Sequence, residues 1–154
     1  MLHILVAFKR LLGIARRSGS THSSDSRTLL GKCMTPALER QLQTKYPILF
    51  DGLTSGFDVG DGWFDLVDNL CSQLNQDVLE TNQPCKPVRV KEKLGELRFY
   101  CWVPYSSPIR TAAIEEARLQ SSITCDVCGA TGQLVALSGW LRTRCDAHQD
   151  VRLS

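Results

Sequence analysis

The sequence predicts an α+β fold, a small domain of helices and one β-hairpin that ends in a C-terminal metal-knuckle module. Three observations carry that prediction. From Trp63 to Val78 the apolar residues Trp63, Leu66, Val67, Leu70, Cys71, Leu74 and Val78 recur at helical spacing, so one side of a helix is buried. Over 88–93 apolar and basic residues alternate, Gly95 permits a turn, and 97–103 has the aromatic and β-branched content of a second strand. Near the end stand Cys125-x-x-Cys128 and, after a sixteen-residue gap, Cys145-x-x-His148. Two intervening residues bring both members of each pair to one side of a tight turn, and three thiolates with one imidazole form a tetrahedral set for Zn²⁺.

Taken in order, residues 1–33 read as a basic, disordered extension. They hold six basic residues against Asp25 alone, a charge of +5, while the other 12 basic and 15 acidic residues leave the folded part at −3. Lys9-Arg10 splits the apolar stretch that a secretory signal keeps whole, which argues against export. A basic amphipathic helix on a membrane surface is the alternative reading of 1–17. Met34 reads as the natural start, because Thr35-Pro36 directly after it supplies an N-cap and a first-turn proline.

The body is expected over 34–121. A short helix runs from Pro36 to Lys45 and stops before Pro47, and 52–62 is loop with Gly56, Gly60 and Gly62. Between Tyr46 and Cys85 the sequence has seven acids and no lysine or arginine, so the helix that opens at Trp63 shows water an acidic face. After the hairpin, Ser107-Pro108 opens a helix to about Leu119, with Ile109, Ala112, Ala113, Ile114 and Ala117 toward the core. The metal module is expected over 122–150, packed on the body. It consists of a Cys125–Cys128 knuckle turned by Gly129, two short strands over 133–137 and 139–144, and the Cys145–His148 pair.

One structural zinc on Cys125, Cys128, Cys145 and His148 follows from the count of ligands, since four protein ligands leave no open position for a reacting water. Other chemistries fail on their own requirements. A zinc deaminase needs His-x-Glu and Pro-Cys-x-x-Cys, but Thr124 precedes Cys125. An EF-hand needs oxygen ligands where Gly60 and Gly62 stand, and no acid sits two residues before Lys91 or Lys93 as a metal nuclease requires. The other histidines, His3 and His22, lie in the extension, and no phosphate loop or Ser/His/Asp set is visible. The protein is therefore expected not to be an enzyme. Seven cysteines, an odd number in a chain of this length, favour a reducing compartment, with Cys71 and Cys101 as buried thiols.

Two binding readings remain. In the favoured one a protein partner meets Trp140, Leu141 and Arg142 on the metal hairpin. In the other, nucleic acid meets Arg89, Lys91, Lys93, Arg98, Arg142 and Arg144, with Phe99, Tyr100 or Trp102 stacking on bases. Pairing of the basic strand with the acidic helix face would neutralise that surface.

Gly60-Asp61-Gly62-Trp63-Phe64-Asp65-Leu66, Lys91-Glu92-Lys93-Leu94-Gly95-Glu96-Leu97-Arg98-Phe99-Tyr100, Cys125-x-x-Cys128-Gly129 and Gly139-Trp140-Leu141-Arg142-Thr143-Arg144-Cys145-x-x-His148 occur together here. The combination resembles a group of small zinc-ribbon-like proteins of unknown function found in phages, prophages and proteobacteria. The similarity covers about residues 34–148. It implies a bacterial or phage cytoplasmic protein that begins near Met34, and it supplies no catalytic residues.

Overall fold

Helix α1 (Pro36–Lys45) starts behind Thr35 and Pro36, as the cap pattern predicts, but the Thr35 side chain makes no capping bond. Its backbone N–H instead donates to Asp61 Oδ1 at 2.7 Å, so the helix entry is held by the loop before the next long helix. Pro47 does not end helical structure. It opens a single further turn, α2 (Pro47–Phe50), which buries Leu49 and Phe50. The computed structural model describes residues 33–52, 56–137 and 139–149, so the extension expected over 1–33, with its alternative surface helix, lies outside the described residues apart from Cys33.

The glycine-rich segment is more than a loop. Phe57 and Asp58 form strand β1 (Phe57–Asp58), paired parallel with Val90 and Lys91, and a 3₁₀ turn over Asp61–Trp63 leads into α3 (Phe64–Thr81). The expected stripe of α3 is buried at Val67, Leu70, Cys71, Leu74 and Val78, with Asp77 buried among them. Strands β2 (Lys86–Lys93) and β3 (Glu96–Trp102) form the antiparallel hairpin, in the sheet order β1-β2-β3. Leu94 (φ 59°) and Gly95 (φ 80°) both take positive φ, as a two-residue hairpin turn of the tightest kind demands. Val90 faces Phe99 on the buried side of the sheet, and Lys91 faces Arg98 on the other.

Helix α4 (Pro108–Ser121) is capped by the Ser107 hydroxyl, which accepts the Arg110 N–H at 3.3 Å. Ala113 and Ala117 are buried as expected, but Ile109 is 62 % exposed and Ala112 is also exposed. Arg110 takes the inward position near the helix start. Its guanidinium pairs with Asp77 of α3 and donates to the carbonyls of Gln83 (2.6 Å) and Pro84 (3.0 Å). A buried charge is tolerated when it is paired and fully hydrogen-bonded, and this one ties α4 to the end of α3 and the turn that follows. Strands β4 (Gln133–Leu137) and β5 (Trp140–Arg144) make a separate two-stranded sheet. No helix among the described residues is long and apolar enough to cross a membrane.

Candidate metal centre

The knuckle closes through its own backbone. The Gly129 N–H donates to the Cys125 carbonyl at 2.9 Å and the Cys125 N–H to Ala130 at 2.8 Å, while Gly129 at φ 76° gives the turn its hand. A 3₁₀ turn over Asp146–His148, with His148 N–H donating to Cys145 at 2.9 Å, folds the second pair the same way. The sequence spacing thus becomes two local turns that face each other. The ligand atoms of Cys125, Cys128, Cys145 and His148 all lie within 4.8 Å of one another, an arrangement compatible with one metal ion. The separations include 3.1 Å from Cys145 Sγ to His148 Nδ1, 3.6 Å from Cys128 Sγ to Cys145 Sγ, and 3.7 Å from Cys125 Sγ to His148 Nδ1.

Burial would raise the Cys125 thiol, but hydrogen bonds from the backbone at Cys145, Val127 and Cys128 outweigh it and bring the pKa down to about 7. Cys128 goes the other way. The Ala130 N–H lowers it, yet burial and the neighbouring Cys145 and Cys125 thiols together raise it. Crowded thiols resist joint ionisation in the absence of a cation, and a divalent ion among them removes that resistance.

The module is built into the body by close approach. A Cβ on Gly60 would overlap the Asp126 carbonyl oxygen, and one on Gly62 would overlap the Cys125 carbonyl and sit 2.5 Å from the Cys128 nitrogen. The Gly-Asp-Gly segment therefore lies flat against the knuckle. Gly62 N–H donates to Asp126 O at 3.1 Å, and the indole N–H of the fully buried Trp63 donates to Thr124 O at 2.8 Å. On the other side Thr143 Oγ1 donates to Gly95 O at 2.7 Å, joining β5 to the hairpin turn of the body.

Arg142 and Arg144 are not the exposed contact residues that the sequence led us to expect. They are 5 % and 0 % exposed, because β5 turns its base inward and Asp126, buried completely in the knuckle, draws both guanidiniums to it. Arg144 Nε lies 2.6 Å from Asp126 Oδ1, and Arg142 NH1 lies 3.4 Å from Asp126 Oδ2 and 2.9 Å from Glu92 Oε2 of β2. Burial raises the Asp126 carboxyl, and the Arg144 and Arg142 charges oppose that rise. This four-residue network links the metal knuckle to the body hairpin. Neither Asp126 nor Glu92 stood out in the sequence, since nothing local marks an acid that will meet arginines 16 to 50 positions away.

The remaining basic residues stay on the surface. Arg89 pairs with Asp58 at 3.5 Å and Arg98 with Glu96 at 2.7 Å, while Lys91 sits 5.7 Å from the Tyr100 ring and Lys93 is exposed. Among the described residues these side chains do not pair with the acidic face of α3; its Asp68 is held by Lys45 of α1 instead. Phe99 is buried in the core, whereas Tyr100 and Trp102 point outward. Trp140, at the tip of the β4–β5 hairpin, is 71 % exposed, and Leu141 beside it is 37 % exposed. Compared with known protein families, with curated proteins and with solved structures, the chain gives no match.

Proposed function

We propose that this protein is a non-enzymatic binding protein, stabilised by one structural zinc in a zinc-ribbon-like module, that docks on a protein partner through the tip of its metal hairpin. Zinc is the ion that best suits three thiolates and an imidazole. A tetrahedral zinc with bonds of about 2.3 Å to sulfur and about 2.1 Å to nitrogen separates sulfurs by about 3.8 Å and sulfur from nitrogen by about 3.6 Å. The sulfur–sulfur separation of 3.6 Å lies slightly below the first value, and the sulfur–nitrogen separations of 3.7 and 3.1 Å fall on either side of the second. Three thiolates on a divalent ion leave one net negative charge.

The observation that carries the partner reading is the contrast along one hairpin. Its base is immobilised by metal ligands and by buried Arg142 and Arg144, while its tip shows water a tryptophan and a leucine. A rigid aromatic anchor binds at low entropic cost. A bacterial cytoplasmic or phage accessory role rests on the resemblance of the 91–100 segment and the Cys/His motifs. The test is affinity capture from nuclease-treated bacterial lysate with the wild-type chain and a Trp140→Ala/Leu141→Ala variant of equal melting temperature. Proteins held by the wild type and lost by the variant support the reading, and identical captures refute it. Metal analysis should give about one zinc per chain.

A further inference from the structure

The register of the three-stranded sheet sorts charge in a way the sequence totals conceal. Directly opposed residues of an antiparallel pair share a face, so the pairs Lys86–Trp102, Arg89–Tyr100, Lys91–Arg98 and Lys93–Glu96 all lie on the side away from Val90, Leu97 and Phe99. The bulge between Pro87 and Arg89 is what keeps Lys86 and Arg89 on the same side. That outer face carries four cations, Arg89, Lys91, Lys93 and Arg98, against two carboxylates, Glu96 and the Asp58 of β1 that stands beside Lys91, while the Lys86 ammonium is paired with Asp51 at 3.5 Å. Glu96 is already engaged by Arg98 and Arg118, each at 2.7 Å, and Asp58 by Arg89. Lys91 and Lys93 pair with no carboxylate among the described residues.

Two aromatic rings complete the face. Tyr100 is 47 % and Trp102 55 % exposed, although both sit on a strand whose alternate residues Leu97 and Phe99 form the core. They are two positions apart on β3, hence about 7 Å along the strand. Rings exposed at that spacing, with cations beside them, offer π faces for successive bases and charge for the intervening phosphates. The surface belongs to a sheet and presents no helix or protruding ribbon to a duplex groove. Of the acids that would repel phosphate, Asp65 and Asp68 belong to the first turns of α3, whose Val67, Leu70 and Leu74 share one core with the sheet's inner side, and Asp61 in the preceding 3₁₀ turn accepts the Thr35 N–H. Asp65 and Asp68 are on the helix side of that core, away from the sheet's outer face.

From this we infer that the outer face of the β1–β2–β3 sheet is a binding surface for single-stranded nucleic acid. It is a second partner on a face separate from the metal hairpin, and it stands or falls independently of the protein-docking reading. The experiment titrates the full, metal-loaded chain into labelled oligo-dT and oligo-U of about 12 nucleotides, at about 0.15 M salt, following anisotropy. The expected Kd is tighter than about 10⁻⁶ M, the tight end of ordinary nonspecific association. Trp102→Ala and Tyr100→Ala should each weaken binding at least about 5-fold, the lower bound for loss of one stacked base. Lys93→Glu, at an exposed side chain rather than at Lys91 beside the Tyr100 ring, keeps the test independent of ring packing and should weaken binding and flatten its salt dependence. Trp140→Ala should leave the oligonucleotide affinity unchanged. Binding no tighter than about 10⁻⁶ M overturns the proposal. So does binding that survives all three sheet substitutions, which assigns it to the basic residues of 1–33, or equal affinity for a duplex of the same length.

Discussion

Arg110 and Asp77 show how much a single side chain decides. The pair is buried, 5 % and 4 % exposed at its side chains, and the guanidinium also holds the Gln83 and Pro84 carbonyls. Arg110→Ala leaves the Asp77 carboxylate and two carbonyls without their donor in the core, and should cost about 3–5 kcal/mol in urea denaturation. An Asp77→Leu/Arg110→Met double substitution of similar volume should recover a large part of that loss, because no charge then stays buried. A double variant as unstable as the single one would show that the carbonyl contacts, and not the stranded carboxylate, dominate. The pair was invisible in the sequence, where α4 reads as an apolar face on Ile109 and Ala112. An arginine can replace an apolar residue at an inward position only when a specific acid waits for it, and Asp77 lies 33 positions earlier.

At the scale of elements, the β4–β5 hairpin is the piece expected to depend on the proposed metal. Two strands with exposed Leu134, Trp140 and Leu141 do not bury enough to hold themselves, and an isolated hairpin is marginal in water. Structural zinc contributes roughly 10–16 kcal/mol in small sites, so Cys128→Ser or Cys145→Ser should abolish stable metal binding and unfold at least 122–149. Hydrogen exchange checks this, with protection expected to vanish in β4 and β5 and to persist in α3. Acid should do the same reversibly. Metal binding requires thiolates and a neutral imidazole, so protons compete with the ion and affinity falls as pH falls. A chromogenic chelator follows the release, and metal retention that increases on acidification would contradict the site. Elements with a strong period were readable in advance. The α1 bounds, the α3 stripe and the β2–β3 hairpin all appear where the pattern places them. Strand β1 was not, because a two-residue strand has no period of its own and exists only through its pairing with β2.

For the molecule as a whole, the question is whether body and module unfold as one. Gly60, Gly62 and Trp63 of the body contact the knuckle backbone, Thr143 reaches Gly95, and Arg142 spans Asp126 and Glu92. The metal-loaded protein should therefore show a single transition on heating, with tryptophan fluorescence and far-ultraviolet circular dichroism coincident. Gly60→Ala should split or broaden that transition and lower stability by about 1–3 kcal/mol, the usual cost of forcing one extra methyl into a packed contact. Coincident transitions at the wild-type temperature in Gly60→Ala would mean that the docked geometry is soft. The sequence by itself determined the Cys/His cluster and the main helices and strands, because a Cys-x-x-Cys turn and a helical or strand period are local properties that a few neighbouring residues impose. Only the tertiary structure decided which charges count. It buried Arg142 and Arg144 against Asp126, turned a Gly-Asp-Gly loop into a docking surface, and set a basic aromatic sheet face against an acidic helix across one core. Those outcomes rest on contacts between residues far apart in the chain, where burial selects partners by position and shape, and a sum of charges carries no direction.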